Sequence, residues 1–162
     1  MSILFSGSEV VDLCIEIEKN GAAFYHALAA STKEEAVMKL ARYLEAEEKK
    51  HQTIFEKMRS ALKGYQPLES YPGEYELYMK ALADARVFTS DTVVREMAAK
   101  VESDVEALTV AIGFEKDSIL FLYEMKNLVP ESEYGAIDAL MQEEKSHLRQ
   151  LSEFRKERLG AS

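Results

Sequence analysis

The chain has 162 residues, one cysteine and a formal net charge of -9 at pH 7. This length suits a single domain, spanning 1–162, with a sizeable core; the acidity, unrelieved by any basic stripe, excludes a nucleic-acid partner, and a lone thiol excludes both a disulfide framework and a four-cysteine metal knuckle. Scarce glycine (7) and proline (3) in a chain that is 47% hydrophobic favour helices over a sandwich or barrel.

The opening Met1-Ser2-Ile3-Leu4-Phe5 carries no basic region followed by a long apolar run, and no run approaches membrane-spanning length. A soluble, cytoplasmic protein without a membrane partner is expected. Ser8 is the expected cap of a first helix over 8–30, with Val10, Val11, Leu13, Cys14, Ile17, Phe24, Ala27 and Leu28 as its apolar stripe. Glu18 falls on the face of Cys14 and Ile17, where packing prefers an apolar residue. Gly21, in mid-helix, costs about 1 kcal/mol relative to Ala and signals close approach of another helix. Thr32 and Glu35 form a capping-box pattern. A second helix over 33–62 then carries Val37, Leu40, Ala41, Leu44, Glu48, His51, Phe55, Met58 and Leu62, and Gly64 ends it.

The stretch 65–103 differs in character. Gln66-Pro67-Leu68 and Ser70-Tyr71-Pro72-Gly73 are turn chemistry, and short amphipathic helices are expected over 74–88 and 91–101. The connection is too long for a tight turn; it suits a crossover along a bundle, or an arm exchanged with a second subunit. Ser103 and Glu106 repeat the capping-box pattern. A third long helix over 104–128 turns Val105, Leu108, Ala111, Ile112, Glu115, Ile119, Leu122 and Met125 inward. Pro130 cannot continue it. Ser132 is the expected cap of a fourth, over 133–158, with Ile137, Leu140, Met141, Glu144, His147, Leu148, Leu151 and Phe154 on its stripe and Gly160 at its end.

Residues three apart on a helix share a face, so Glu48 with His51 and Glu144 with His147 each present a carboxylate and an imidazole together. The chain has 3 histidines, and two fall in these tetrapeptides, Glu48-Lys49-Lys50-His51 and Glu144-Lys145-Ser146-His147. Each is preceded by a Glu in an apolar stripe, Glu18 by 30 positions and Glu115 by 29. Two such halves make an antiparallel four-helix bundle with approximate internal two-fold symmetry. Each Glu lies near mid-helix, and helices of about 24 residues run about 36 Å, so the four meet at one level. Buried together they would repel and raise one another's pKa values; two divalent cations balance the charge, and oxygen-rich sites with one imidazole each suit iron or manganese. A lone Glu-x-x-His is usually a solvated face; two copies at matched spacing are not. Glu47 and Glu143 fall one residue off this face, facing outward or backing the ligands, though Glu143 could compete with Glu144. His26 is expected to be partly exposed and not a ligand; Cys14, Tyr25, Tyr123 and the methionines are expected to be core, with a redox-sensing thiol as the alternative for Cys14 and a bond to a carboxylate near the ligands as the alternative for Tyr25 and Tyr123, which lie about two turns from Glu18 and Glu115.

This ligand pattern resembles the ferritin-like di-iron carboxylate superfamily, over roughly 8–62 and 104–158. Glu-Lys-Asn-Gly-Ala-Ala-Phe-Tyr (18–25), Glu-Glu-Lys-Lys-His (47–51), Phe-Glu-Lys-Asp-Ser (114–118) and Glu-Glu-Lys-Ser-His (143–147) resemble the helices of the rubrerythrin group. The resemblance implies a ferritin-like bundle holding two iron ions, with manganese or zinc as alternative occupants. Glu18 and Glu115 would be terminal ligands, Glu48 and Glu144 bridges, and His51 and His147 one ligand to each ion. It further implies peroxidase chemistry: hydrogen peroxide is reduced with electrons from a separate donor such as a rubredoxin-like protein, in a homodimer. Two departures bear on this. Ser118 stands where rubrerythrins place a further Glu that takes part in a ligand switch, which moves the site towards the symmetric ferritin type. With only Cys14, the sequence has no rubredoxin module. A ferroxidase acting on dioxygen, or a non-enzymatic metal-binding module, are the alternative readings; no extended apolar docking face favours a hydroxylase.

Overall fold

The computed structural model describes residues 7–68, 71, 73–85 and 91–160. Met1–Phe5, Ser70 and Pro72 of the expected turn, and the 86–88 end of the expected helix over 74–88, lie outside the described residues. The helices are α1 (Gly7–Ser31), α2 (Glu35–Ala61), α3 (Glu74–Ala85), α4 (Asp91–Lys100), α5 (Asp104–Met125) and α6 (Tyr134–Gly160). The long helices pack as two antiparallel pairs, α1 on α2 and α5 on α6; α1–α5 and α2–α6 contacts join the pairs. Within the connection, α4 lies against α1 and buries Val94 and Ala98, while α3 reaches the core through Tyr75. No helix among the described residues is long and apolar enough to cross a membrane.

Several helix ends differ from the expected ones. The first helix already includes Gly7, so Ser8 sits inside its opening turn rather than at the cap. Thr32 does not close a box with Glu35: its hydroxyl accepts from the Glu34 N–H at 3.2 Å and donates to Asp104 Oδ1 at 2.9 Å, fastening the α1–α2 turn to the start of α5. Glu35 instead pairs with Lys39 at 2.6 Å. Ser103 caps α5 as expected, accepting from the Glu106 N–H at 3.2 Å, but Glu106 returns its bond to the Glu102 N–H at 2.9 Å. After Met125 the chain tightens through bonds from the Asn127 N–H to Glu124 O and the Leu128 N–H to Met125 O, at 3.0 and 2.9 Å. Pro130 then opens a 3-10 turn, Glu131–Glu133, which places Ser132 inside the turn and removes it from the cap of α6. Gly64 takes the left-handed conformation expected of a helix terminator, with φ +83°, whereas α6 runs through Gly160.

The core is in two parts. One groups Val10, Cys14, Ile17, Phe55, Met58, Leu122, Met125 and Ile137 with their neighbours; there the Cys14 thiol lies 3.1 Å from Met125 Sδ, as core packing. The other groups Phe24, Tyr25, Leu28, Leu40, Leu44, Leu108, Phe114 and Leu151. Each long helix contributes to both. In α5 the buried stripe includes Ala107, Phe114 and Phe121 in place of the expected Val105, Ile112 and Ile119, which are only half-buried.

Candidate metal centre

Between the two apolar clusters lies a polar layer. Glu18 follows Ile17 and precedes Phe24 on α1; Glu48 falls between Leu44 and Phe55 on α2; Glu115 between Phe114 and Phe121 on α5; Glu144 between Met141 and Leu151 on α6. His51 and His147 complete the layer one turn further along α2 and α6. None of the six is more than 4% exposed. Their donor atoms form two sets, each within 4.8 Å: Glu18, Glu48, His51 and Glu144 in one, and Glu48, Glu115, Glu144 and His147 in the other. Glu48 and Glu144 belong to both. All six residues singled out from spacing therefore meet in one place.

The Nδ1 atoms of both imidazoles face the carboxylates. His51 Nδ1 lies 2.9 Å from Glu144, 3.4 Å from Glu18 and 3.7 Å from Glu48. His147 Nδ1 lies 3.3 Å from Glu144 and 3.6 Å from Glu115. The rings stack with centroids 5.8 Å apart. Despite these short distances, Glu18 Oε2, His51 Nδ1, Glu115 Oε2 and Glu144 Oε1 are buried without a hydrogen-bond partner. Buried polar atoms are ordinarily satisfied; here they are close to one another yet point at shared space. Four carboxylates and two imidazoles converging in this way fit divalent cations with oxygen-rich preferences.

Protons take part in the charge balance. Burial pushes the Glu48 and Glu115 carboxyls well above the usual carboxylate range, with neighbouring carboxylates adding to the effect. Burial also raises Glu18, in part offset by the neighbouring Glu48 carboxyl and His51 imidazole. Glu144 departs from the expected common rise. Burial raises it too, but the two imidazoles beside it, His147 and His51, outweigh this and hold it below the usual range. Burial alone would lower both histidines; the carboxylates around them win, raising His51 strongly and His147 to about 10.

Around the layer, Tyr25 is fully buried and its O–H donates to Glu115 Oε1 across the bundle. It is core, as first expected, and it also makes the bond to a carboxylate that was the alternative expectation. The available signal was its offset of 7 from Glu18, two helical turns along the same stripe. Tyr123, also expected in the core, is 54% exposed and lies beneath the Lys145 ammonium. Glu143 does not compete with Glu144; it stands outside His51, its Oε2 2.9 Å from Nε2. Glu47 pairs with Lys50. His26 is exposed and bonded to Glu45 at 3.2 Å, away from the layer. Ser118 is buried, one turn beyond Glu115.

No protein-family model matches the chain, and no curated protein matches it at a significant level. Among solved structures, a candidate ferritin-like diiron-carboxylate protein from Thermotoga maritima is similar to it, with 28% sequence identity over 94% of this chain and 95% of that one, and a TM-score of 0.70. The chain has the ferritin-like four-helix fold, and this likeness supports kinship with that superfamily.

Proposed function

We propose that the chain is a non-haem di-iron redox protein, and that it reduces hydrogen peroxide with electrons from a separate donor. The observation that carries the reading is the pair of donor sets sharing Glu48 and Glu144. Glu18 and His51 would hold one ion, Glu115 and His147 the other, and Glu48 and Glu144 would bridge them. A likeness to a protein described as diiron-carboxylate supports iron as the occupant. Two ferrous ions so held supply the two electrons that peroxide reduction consumes.

The chain's own residues set the conditions for that chemistry. Four carboxylates cancel the charge of two divalent cations, so the loaded layer is neutral within an apolar surround. Tyr25 holds Glu115 by its hydrogen bond, and Glu143 holds His51. The apolar clusters above and below exclude water, and the loss of protons from Glu18, Glu48 and Glu115 accompanies ion binding. The expected external donor, homodimer and cytoplasmic setting belong to the same proposal.

Ser118 favours a second reading, a ferroxidase using dioxygen. A buried hydroxyl at that position offers no carboxylate to exchange with another ligand between oxidation states. The test loads the protein anaerobically with ferrous iron, then follows its visible absorption after separate additions of peroxide and dioxygen. Faster oxidation by peroxide supports the peroxidase, and the reverse order the ferroxidase. Absence of iron uptake by folded protein refutes both.

A further inference from the structure

The two halves of the layer match in their inner ligands but not in what stands behind their imidazoles. On one side, Glu143 of α6 reaches across to α2 and places Oε2 2.9 Å from the outer nitrogen of His51. Glu47 and Glu143 both offer a carboxylate oxygen within 4.8 Å of that ring. On the other side, the outer nitrogen of His147 is buried with no hydrogen-bond partner among the described residues. Glu47 occupies on α2 the position that Glu143 occupies on α6, each directly before its inner Glu, but its carboxylate is engaged by Lys50. Tyr43 packs edge-to-face with the His147 ring, centroids 6.0 Å apart.

From this difference we propose that the two metal positions are inequivalent, with Glu143 acting as a positioning residue that makes the His51 position the tighter one. The inference rests on the dinuclear reading above. An imidazole that donates its outer N–H to a carboxylate is fixed in orientation and tautomer, and its inner nitrogen becomes a better donor to a cation. His51 has this arrangement. His147 can present its inner lone pair only by leaving an outer N–H buried and unpaired, which costs it affinity. The first ion therefore settles beside His51, Glu18, Glu48 and Glu144, and the second completes the centre beside His147 and Glu115.

The test uses Mn2+ titrated into metal-free full-length protein, followed by calorimetry and by electron paramagnetic resonance. The unaltered chain is expected to fill in two steps at least about tenfold apart, with the six-line signal of isolated Mn2+ dominating at one equivalent. Glu143→Ala is expected to weaken the tighter step about 10- to 100-fold and leave the weaker one in place. Glu143→Gln, which keeps an acceptor oxygen but not the charge, is expected to fall between. Glu143 has a side chain 49% exposed on a helix surface, so both variants keep the fold, which circular dichroism checks. Two ions bound with one affinity, or a tight step untouched by Glu143→Ala, overturn the inequivalence while leaving the dinuclear reading standing. Failure of folded protein to bind Mn2+ at all overturns that reading, and this inference with it.

Discussion

The Cβ that Gly21 lacks would lie 3.3 Å from Cδ of Glu48 and 3.4 Å from its Cγ. A glycine in the middle of α1, at a cost in helix propensity, thus leaves the space that the Glu48 side chain occupies. Gly21→Ala sets the two effects against each other. Helix propensity improves by about 1 kcal/mol, while Glu48 must give way by a few tenths of an ångström. Metal-free protein is expected to melt at the same temperature or slightly higher, and metal affinity to fall roughly tenfold. Thermal melts with and without Mn2+ separate these effects; unchanged affinity would show that Glu48 relocates freely.

Glu48 and Glu144 share both donor sets but differ in ionisation, which their amide variants can reveal. Glu48→Gln resembles the protonated carboxyl that burial already favours, so metal-free stability should change little. Glu144→Gln removes the charge that both histidines face and should cost metal-free protein about 3 kcal/mol. Both variants should lose dinuclear loading. Urea unfolding of the metal-free variants, beside a metal titration, tests the contrast; equal destabilisation would contradict it.

Tyr25→Phe deletes one hydrogen bond from a fully buried pair. Loss of about 1–2 kcal/mol is expected in metal-free protein. The loss should be larger in metal-loaded protein, because Glu115 is then ionised and the bond charge-assisted. Chemical denaturation of both forms measures the difference, and equal losses would mean that Tyr25 packs without steering Glu115.

The protonation pattern sets a pH dependence for metal-free protein. Glu18, Glu48 and Glu115 have folded pKa values above 4.5, so their stabilising contribution is complete below that value and fades as pH rises through the folded values. His147 acts in the same direction, its contribution present below 6.5 and lost as pH climbs to about 10. Glu144 acts oppositely, but its contribution is lost only in strong acid. Metal-free stability should therefore fall from about pH 5 to pH 9, with a shallower slope once cations replace the protons. Denaturant midpoints across that range check the sign.

The residues of the polar layer were readable from the chain because helical spacing alone fixes which residues share a face. Glu48 with His51, and Glu144 with His147, needed no knowledge of neighbouring helices. Contacts made across the bundle were not readable in that way. Tyr25 was visible as a stripe residue, but its partner Glu115 is 90 positions away on α5, and nothing local to either residue selects the other. The Glu143–His51 bond spans 92 positions and depends on the relative rotation of α2 and α6. Caps failed where a hydroxyl had a better partner elsewhere, as with Thr32 and Asp104, or where a proline reset the backbone, as with Ser132 after Pro130.

The division of the core into two apolar clusters has a consequence for traffic. Among the described residues the bundle is packed with Phe55, Leu122 and Met125 on one side of the polar layer and with Phe24, Leu108 and Phe114 on the other. The shorter way from solvent to the polar layer is through its flank rather than along the axis. On the α2–α6 flank the half-exposed Glu143 stands directly outside His51. There a single side chain links the buried layer to solvent, so this flank feels changes in the medium before the rest of the centre does.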